Sequence, residues 1–332
     1  MNKLGKLDKL SKLINFNRDP KTSKYYNKLN YETLYSEVDK IRKKFETINY
    51  VLLLNQIHIR QLNKCDLNDA HQIKQISHIL SDSDFSSAIF TKYRKSYKYY
   101  FKCCYSNTSI YLIVDSPNIS KYTKDIYYMF YRISVLRQVY NNQQTLTVYY
   151  CPFPMNKQTP TNGIFKTSDI NSGMTIHYGR PTNGIIFIWR KQEFLKVLVH
   201  ELIHSFSIDS KYRFPVYETY TEFMTVHLNI FLELMERNIY SHSNYKMFLE
   251  LEQYHGLYNA ILVSNYNPGS TNIVYYLVDR NYLLLKHNWK KFQLKKNMYN
   301  LPIYSKKNEI HTIFFTITEY LLNQTNYNKC LI

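Results

Sequence analysis

Residues 184–207 read GIIFIWRKQEFLKVLVHELIHSFS, a short apolar run that passes within a few residues into a helical pattern. Gly184 to Trp189 has the β-branched and aromatic content of a strand. From Lys191 to Ser207 the period becomes helical. Phe194, Leu195, Leu198, Val199, Leu202, Ile203 and Phe206 cover one half of the wheel, and His200 and His204 share the opposite side. The expectation is a buried helix with a single polar stripe. Such a stripe facing a cleft needs partners, and a metal ion supplies them.

The spacing His200-Glu201-Leu202-Ile203-His204 puts two imidazoles about 40° apart around the helix and about one turn apart along it, so both can reach one ion. Neutral histidine nitrogens suit Zn²⁺, which then needs one more protein ligand and an open position for water. Glu201 lies beside the pair without being a ligand. It can take the proton of the water as that water attacks a carbonyl. The third ligand is expected from the next helix, where Glu218 and Glu222 (ETYTE) stand one turn apart and Pro215 suits the first turn. The competing reading is a solvated acidic stripe, because Glu218, Glu222, Thr225, Asn229 and Glu236 fall near one face.

His200-Glu201-x-x-His204 followed by Glu218-x-x-x-Glu222 resembles the gluzincin group of zinc metallopeptidases. The resemblance implies a zincin-like core, Glu218 as metal ligand and Glu222 as the acid that orients a ligand histidine. The separation is shorter than in many members, so the two glutamates could exchange roles. No histidine or aspartate stands where a metzincin pattern needs its third ligand. Residues 171–175 (NSGMT) together with 184–206 also resemble uncharacterised metallopeptidases of large DNA viruses, over about residues 169–230. In that fold the strand before the active-site helix, Gly184 to Trp189, would offer an exposed edge to an extended peptide. An oxyanion donor is also required, and Tyr212, His227, Tyr275 and Tyr276 are candidates among 34 tyrosines, too many to choose from. Asn171 and Ser172 read as an ordinary turn.

Outward from the motif, Tyr97–Tyr105 and Ser109–Asp115 read as a hairpin around 106–108, Lys121–Tyr140 as an amphipathic helix and Thr145–Phe153 as a strand. Residues 154–184, rich in Gly, Asn and Pro, read as connection. Further helices are expected at Tyr31–Asn55, with Leu34, Val38, Ile41, Phe45, Ile48 and Leu52 in phase, and around Leu67–Leu80. Behind the motif the candidates are Pro215–Arg237, Ser243–Val263, Thr271–Lys286 and Asn308–Leu322. The inferred class is α+β: an N-terminal mixed sheet with the active-site helix, then a mainly helical C-terminal part. The expected organisation is a basic, partly disordered segment over 1–30, a zincin-like part over 31–207, and a helical part over 208–332 supplying the third ligand.

Composition bounds the rest. With 45% apolar residues in 332, the chain can bury a sizeable core, so disorder is not the expectation. The charge of +18 raises non-specific affinity for nucleic acid without naming a partner, and the lysines at 290, 291, 295 and 296 beside Trp289 and Phe292 read as a solvated face. Five cysteines without CxxC spacing suit a reducing compartment. No run is long enough to span a bilayer, and 1–19 lacks the apolar core of a signal peptide. The expectation is a soluble intracellular protein, in the host cytoplasm or virion if viral. It would hydrolyse polypeptide with Zn²⁺ as cofactor and Glu201 as general base. The alternative is an inactive zincin-like protein acting as a basic binding or virion-associated module.

Overall fold

The computed structural model describes residues 31–57, 63–65, 73, 91–92, 95–177, 183–213, 216–263, 266–267, 272–273, 275–286 and 310. The helices expected around 67–80 and 308–322, the segment 1–30, Pro215 and the basic cluster at 289–296 lie outside them, apart from Ile73 and Ile310. The class is α+β, as the sequence implies. The chain forms two compact units, one of residues 43–157 and 166–210, the other holding 31–42, 158–165 and the described residues from 211 onward.

The first unit is built on a six-stranded mixed sheet: β1 (Asn63–Lys64), β2 (Tyr99–Tyr105), β3 (Thr108–Val114), β4 (Thr145–Tyr150), β5 (Gly173–His177) and β6 (Asn183–Ile188), in the order β1-β2-β3-β4-β6-β5. β2 and β3 form the expected hairpin, with Ser106 in a left-handed conformation at its tight turn. β3, β4 and β6 are mutually parallel, and β5 returns antiparallel to β6. The parallel step from β3 to β4 needs a crossover, made by the helix Ser120–Tyr140, whose Ile126, Met129, Phe130 and Leu136 are buried.

Alternation along the strands sorts the side chains onto two faces. On one face Tyr111, Tyr149 and Phe187 are paired in register and stack at 5.0 Å, forming a ladder inside a cluster with Trp189, Phe153 and Tyr97. On the other, Ile110, Leu112, Val148, Ile186 and Ile188 are fully buried. The motif helix, Phe194–Ser205, packs on that second face against β5 and β6.

One expectation is corrected. The strand Gly184 to Trp189 is not an exposed edge, because β6 pairs with β4 on one side and β5 on the other. Its unbroken apolar run is what a strand flanked on both sides and buried on both faces requires. Among the described residues the edge on this side of the sheet is β5, inside the stretch that reads as connection.

The second unit is helical among its described residues. The long helices Val216–Glu236 and His242–Val263 match the expected spans, and they are followed by a π-helical turn, Tyr275–Asp279, and the helix Arg280–Lys286. The N-terminal helical run is broken. A helix over Tyr31–Thr47 buries Leu34, Val38, Ile41 and Phe45 as the period implies, and a separate one, Tyr50–Gln56, starts where Asn49 Oδ1 accepts from the Leu52 amide at 2.9 Å. The cap resets the phase, so Leu52 is left 53% exposed.

Hereafter the helices are numbered in chain order: α1 (Tyr31–Thr47), α2 (Tyr50–Gln56), α3 (Ser120–Tyr140), α4 (Thr167–Ile170), α5 (Phe194–Ser205), α6 (Val216–Glu236), α7 (His242–Val263) and α8 (Arg280–Lys286). Among the described residues no helix is long and apolar enough to cross a membrane.

Candidate metal centre

The start of α5 is fixed by buried polar contacts. Glu193, at its N-cap, takes a left-handed φ of 56°, and Lys157 Nζ binds its carboxylate at 2.8 Å with both side chains shielded from water. Just before it, the fully buried Arg190 donates to the carbonyls of Asn171 and Asn156, each at 2.9 Å, and to that of Ser168. Trp189 Nε1 also binds the Asn171 carbonyl. Asn171, in extended conformation, lends its backbone oxygen to this anchoring, and the Ser172 carbonyl accepts from the Trp189 amide, so the two residues lead into β5 where the sequence reads as a turn.

Beyond that anchor, Leu198, Val199, Leu202 and Ile203 sink fully into the core, which fixes the roll of α5 about its axis. His200 and Glu201 are buried and His204 is half-buried. The two imidazoles converge: His200 Nε2 and His204 Nε2 lie 3.0 Å apart, with the rings nearly perpendicular at 79°. In a tetrahedral site with bonds of about 2.05 Å, neighbouring ligand atoms stand about 3.3 Å apart. The observed pair is close to that separation. His200, His204 and Glu218 each present one ligand atom, all three within 4.8 Å of one another, and the set forms a candidate metal site of two nitrogens and one carboxylate oxygen.

His204 is oriented from its other nitrogen. Nδ1 lies 2.5 Å from Asp209 Oδ2, so the proton sits on Nδ1 and the Nε2 lone pair is left for an ion. The carboxylate arrives there through the end of α5. The Ser207 amide binds the His204 carbonyl, the Ile208 amide binds the Ile203 carbonyl, and Ser207 is left-handed at φ 55°. This is a Schellman closure with serine at the position glycine usually fills. It folds the chain back so that Asp209 meets the last histidine. The sequence reading missed Asp209, since nothing about a serine announces a left-handed turn.

Glu201 faces β5. Thr175 Oγ1 lies 2.8 Å from Glu201 Oε2 and 3.0 Å from the Glu201 carbonyl oxygen. Thr175 was likewise missed, because β5 itself carries little strand signal.

On α6, Glu218, Glu222, Thr225 and Asn229 are all buried, so the stripe they form is not a solvated acidic face. Glu222 Oε2 lies 3.8 Å from Arg280 Nη1, both side chains essentially inaccessible to water. His227 is fully buried among Tyr35, Phe223 and Tyr245, and its Nδ1 is 2.6 Å from the Tyr245 hydroxyl. Burial drives the His227 pKa down to about 3 and pushes that of Tyr245 well up, so the tyrosine donates to a neutral imidazole. Tyr212 packs on Tyr220 at 4.6 Å, and burial, with Glu37 adding to it, raises its pKa to about 12. Tyr276 is half-buried in the π-helical turn, which also carries the backbone of Tyr275. Nothing in these surroundings singles out an oxyanion donor.

No known protein family, curated protein or solved structure matches the chain.

Proposed function

We propose that this protein is a zinc-dependent metallopeptidase in which His200, His204 and Glu218 hold the ion and Glu201 is the general base. The observation that carries the reading is the convergence of two nitrogens and one carboxylate oxygen, with the buried Glu201 next in sequence to one of the nitrogen ligands. Two imidazoles and a carboxylate suit zinc, and three ligands among the described residues fit a site that keeps one position for water, whereas a purely structural zinc site takes four protein ligands. Zinc bound there supplies Lewis-acid polarisation of a water and of the scissile carbonyl. Glu201 takes the proton of the attacking water and passes it to the leaving amine. Asp209 keeps His204 in the ligating tautomer. The outer edge of β5, lying along α5, offers backbone N–H and C=O groups with which an extended polypeptide pairs. By the gluzincin comparison Glu222 is the acid beside the ligands. Its pairing with Arg280 supports Glu218 rather than Glu222 as the ligand.

A second reading, a zinc-holding module without catalysis, draws on the charge of +18, which favours non-specific contact with nucleic acid. One experiment separates the two: metal content and cleavage of a broad peptide library, measured on the same preparations of wild type, His204→Ala and Glu201→Gln. The peptidase reading expects about one zinc per chain, its loss in His204→Ala, and unchanged zinc with turnover reduced about 10²–10⁴-fold in Glu201→Gln. A zinc-loaded wild type that cuts nothing would overturn it in favour of the non-catalytic module. Stoichiometric zinc in His204→Ala would overturn the ligand set.

A further inference from the structure

We infer that strand β5 is the positioning element for the general base, with Thr175 holding one carboxylate oxygen of Glu201 and Gly173 making room for the other. The inference rests on the peptidase reading for the role of Glu201, but the geometry stands within the sheet unit alone.

A glutamate side chain has three rotatable bonds, and left unheld it spreads over several rotamers. General-base catalysis needs it within hydrogen-bond reach of one proton, and a misplacement of about 1 Å costs on the order of 10²-fold in rate. The same-face neighbours of Glu201 on α5, Val197 and Ser205, are an apolar side chain that cannot hydrogen-bond a carboxylate and a serine whose hydroxyl is bonded to Gln144. The restraint comes across the chain. Thr175 Oγ1 stands 2.8 Å from Oε2 of Glu201, the length of an ordinary O–H···O hydrogen bond, and 3.0 Å from the carbonyl oxygen of the same residue. Its one proton goes to one of these two acceptors at a time or is shared between them, and donated to Oε2 it ties the end of the Glu201 side chain to β5.

Gly173 sits two residues earlier on the strand and so presents the same face. A Cβ placed there would lie 3.0 Å from Glu201 Oε1, 2.6 Å from Val197 Cγ1 and 3.0 Å from the Phe187 carbonyl oxygen. Any side chain at 173 would push the carboxylate or the helix away. Met174 packs instead into the aromatic cluster on the opposite face. The pattern Gly-Met-Thr is therefore two small residues towards the base and one large residue towards the core.

The test uses Thr175→Val, which keeps the volume and loses the hydroxyl, Thr175→Ser, which keeps the hydroxyl, and Gly173→Ala. In the zinc-loaded protein, Thr175→Val and Gly173→Ala are expected to lower kcat about 10–100-fold with KM and zinc content unchanged, and Thr175→Ser to retain most of the turnover. An independent readout needs no activity. In the metal-free protein, the carboxylate stretching band of Glu201, identified by difference against Glu201→Gln, is expected to shift in Thr175→Val and to stay in place in Thr175→Ser. A band unmoved by Thr175→Val, or equal losses of kcat in the serine and valine variants, overturns the inference whatever the wild type cleaves. A wild type without peptidase activity whose band moves only in Thr175→Val sinks the peptidase reading and leaves the carboxylate holder established.

Discussion

His204 and Asp209 show how much of a site can hang on one residue outside its motif. The 2.5 Å contact fixes which ring nitrogen carries the proton, and so how much of the His204 population is ready to ligate. Asp209→Asn is expected to weaken zinc affinity about 10–100-fold, read by competition with a chromogenic chelator, while the fold is retained. Unchanged affinity would remove Asp209 from the site. His200 and His204 were legible because one regular helix relates them, and Glu218 because a following helix repeats acids one turn apart. Asp209 was hidden by the left-handed Ser207, and Thr175 by a contact whose partners are far apart in sequence. Local periodicity reports neither.

Elements obey the same division. The hairpin, α3, β4, α5, α6 and α7 declare themselves by long or strongly patterned runs. The five-residue β5 has no such run, and the break between α1 and α2 depends on a single asparagine cap. Nor does periodicity foresee how closely α5 approaches the sheet. A Cβ at Gly184 would lie 2.2 Å from Ser205 Oγ and 2.8 Å from Gln144 Nε2, and those two atoms are themselves bonded at 2.7 Å. Gly184→Ala is therefore expected to destabilise the protein by about 1–3 kcal/mol in urea unfolding. Part of the loss should return in Gly184→Ala/Ser205→Ala, where the hydroxyl that obstructs the methyl is gone. Strict additivity of the two changes would mean that the clash is relieved elsewhere.

At the scale of the whole molecule, the buried polar groups make stability depend on acidity. The folded-state pKa of His227, about 3, lies below its ordinary value near 6.5. An unfolded chain therefore binds a proton that the folded one refuses. Its contribution is complete above about pH 6.5 and is lost as the pH falls towards 3, at up to about 1.4 kcal/mol per pH unit. Urea unfolding of the metal-free protein across that window should show a shallower acid decline in His227→Gln than in wild type; parallel curves would refute this. The flank of β5 that pairs with no strand among the described residues has a consequence of another kind. Backbone groups left open for a passing peptide are equally open to a second copy of the same strand, so the feature that suits the protein to capturing chains also exposes it to aggregation. Gly173–His177 carries neither proline nor a lysine to deter such stacking, and its protection is brevity: about 17 Å of edge gives two copies little to hold.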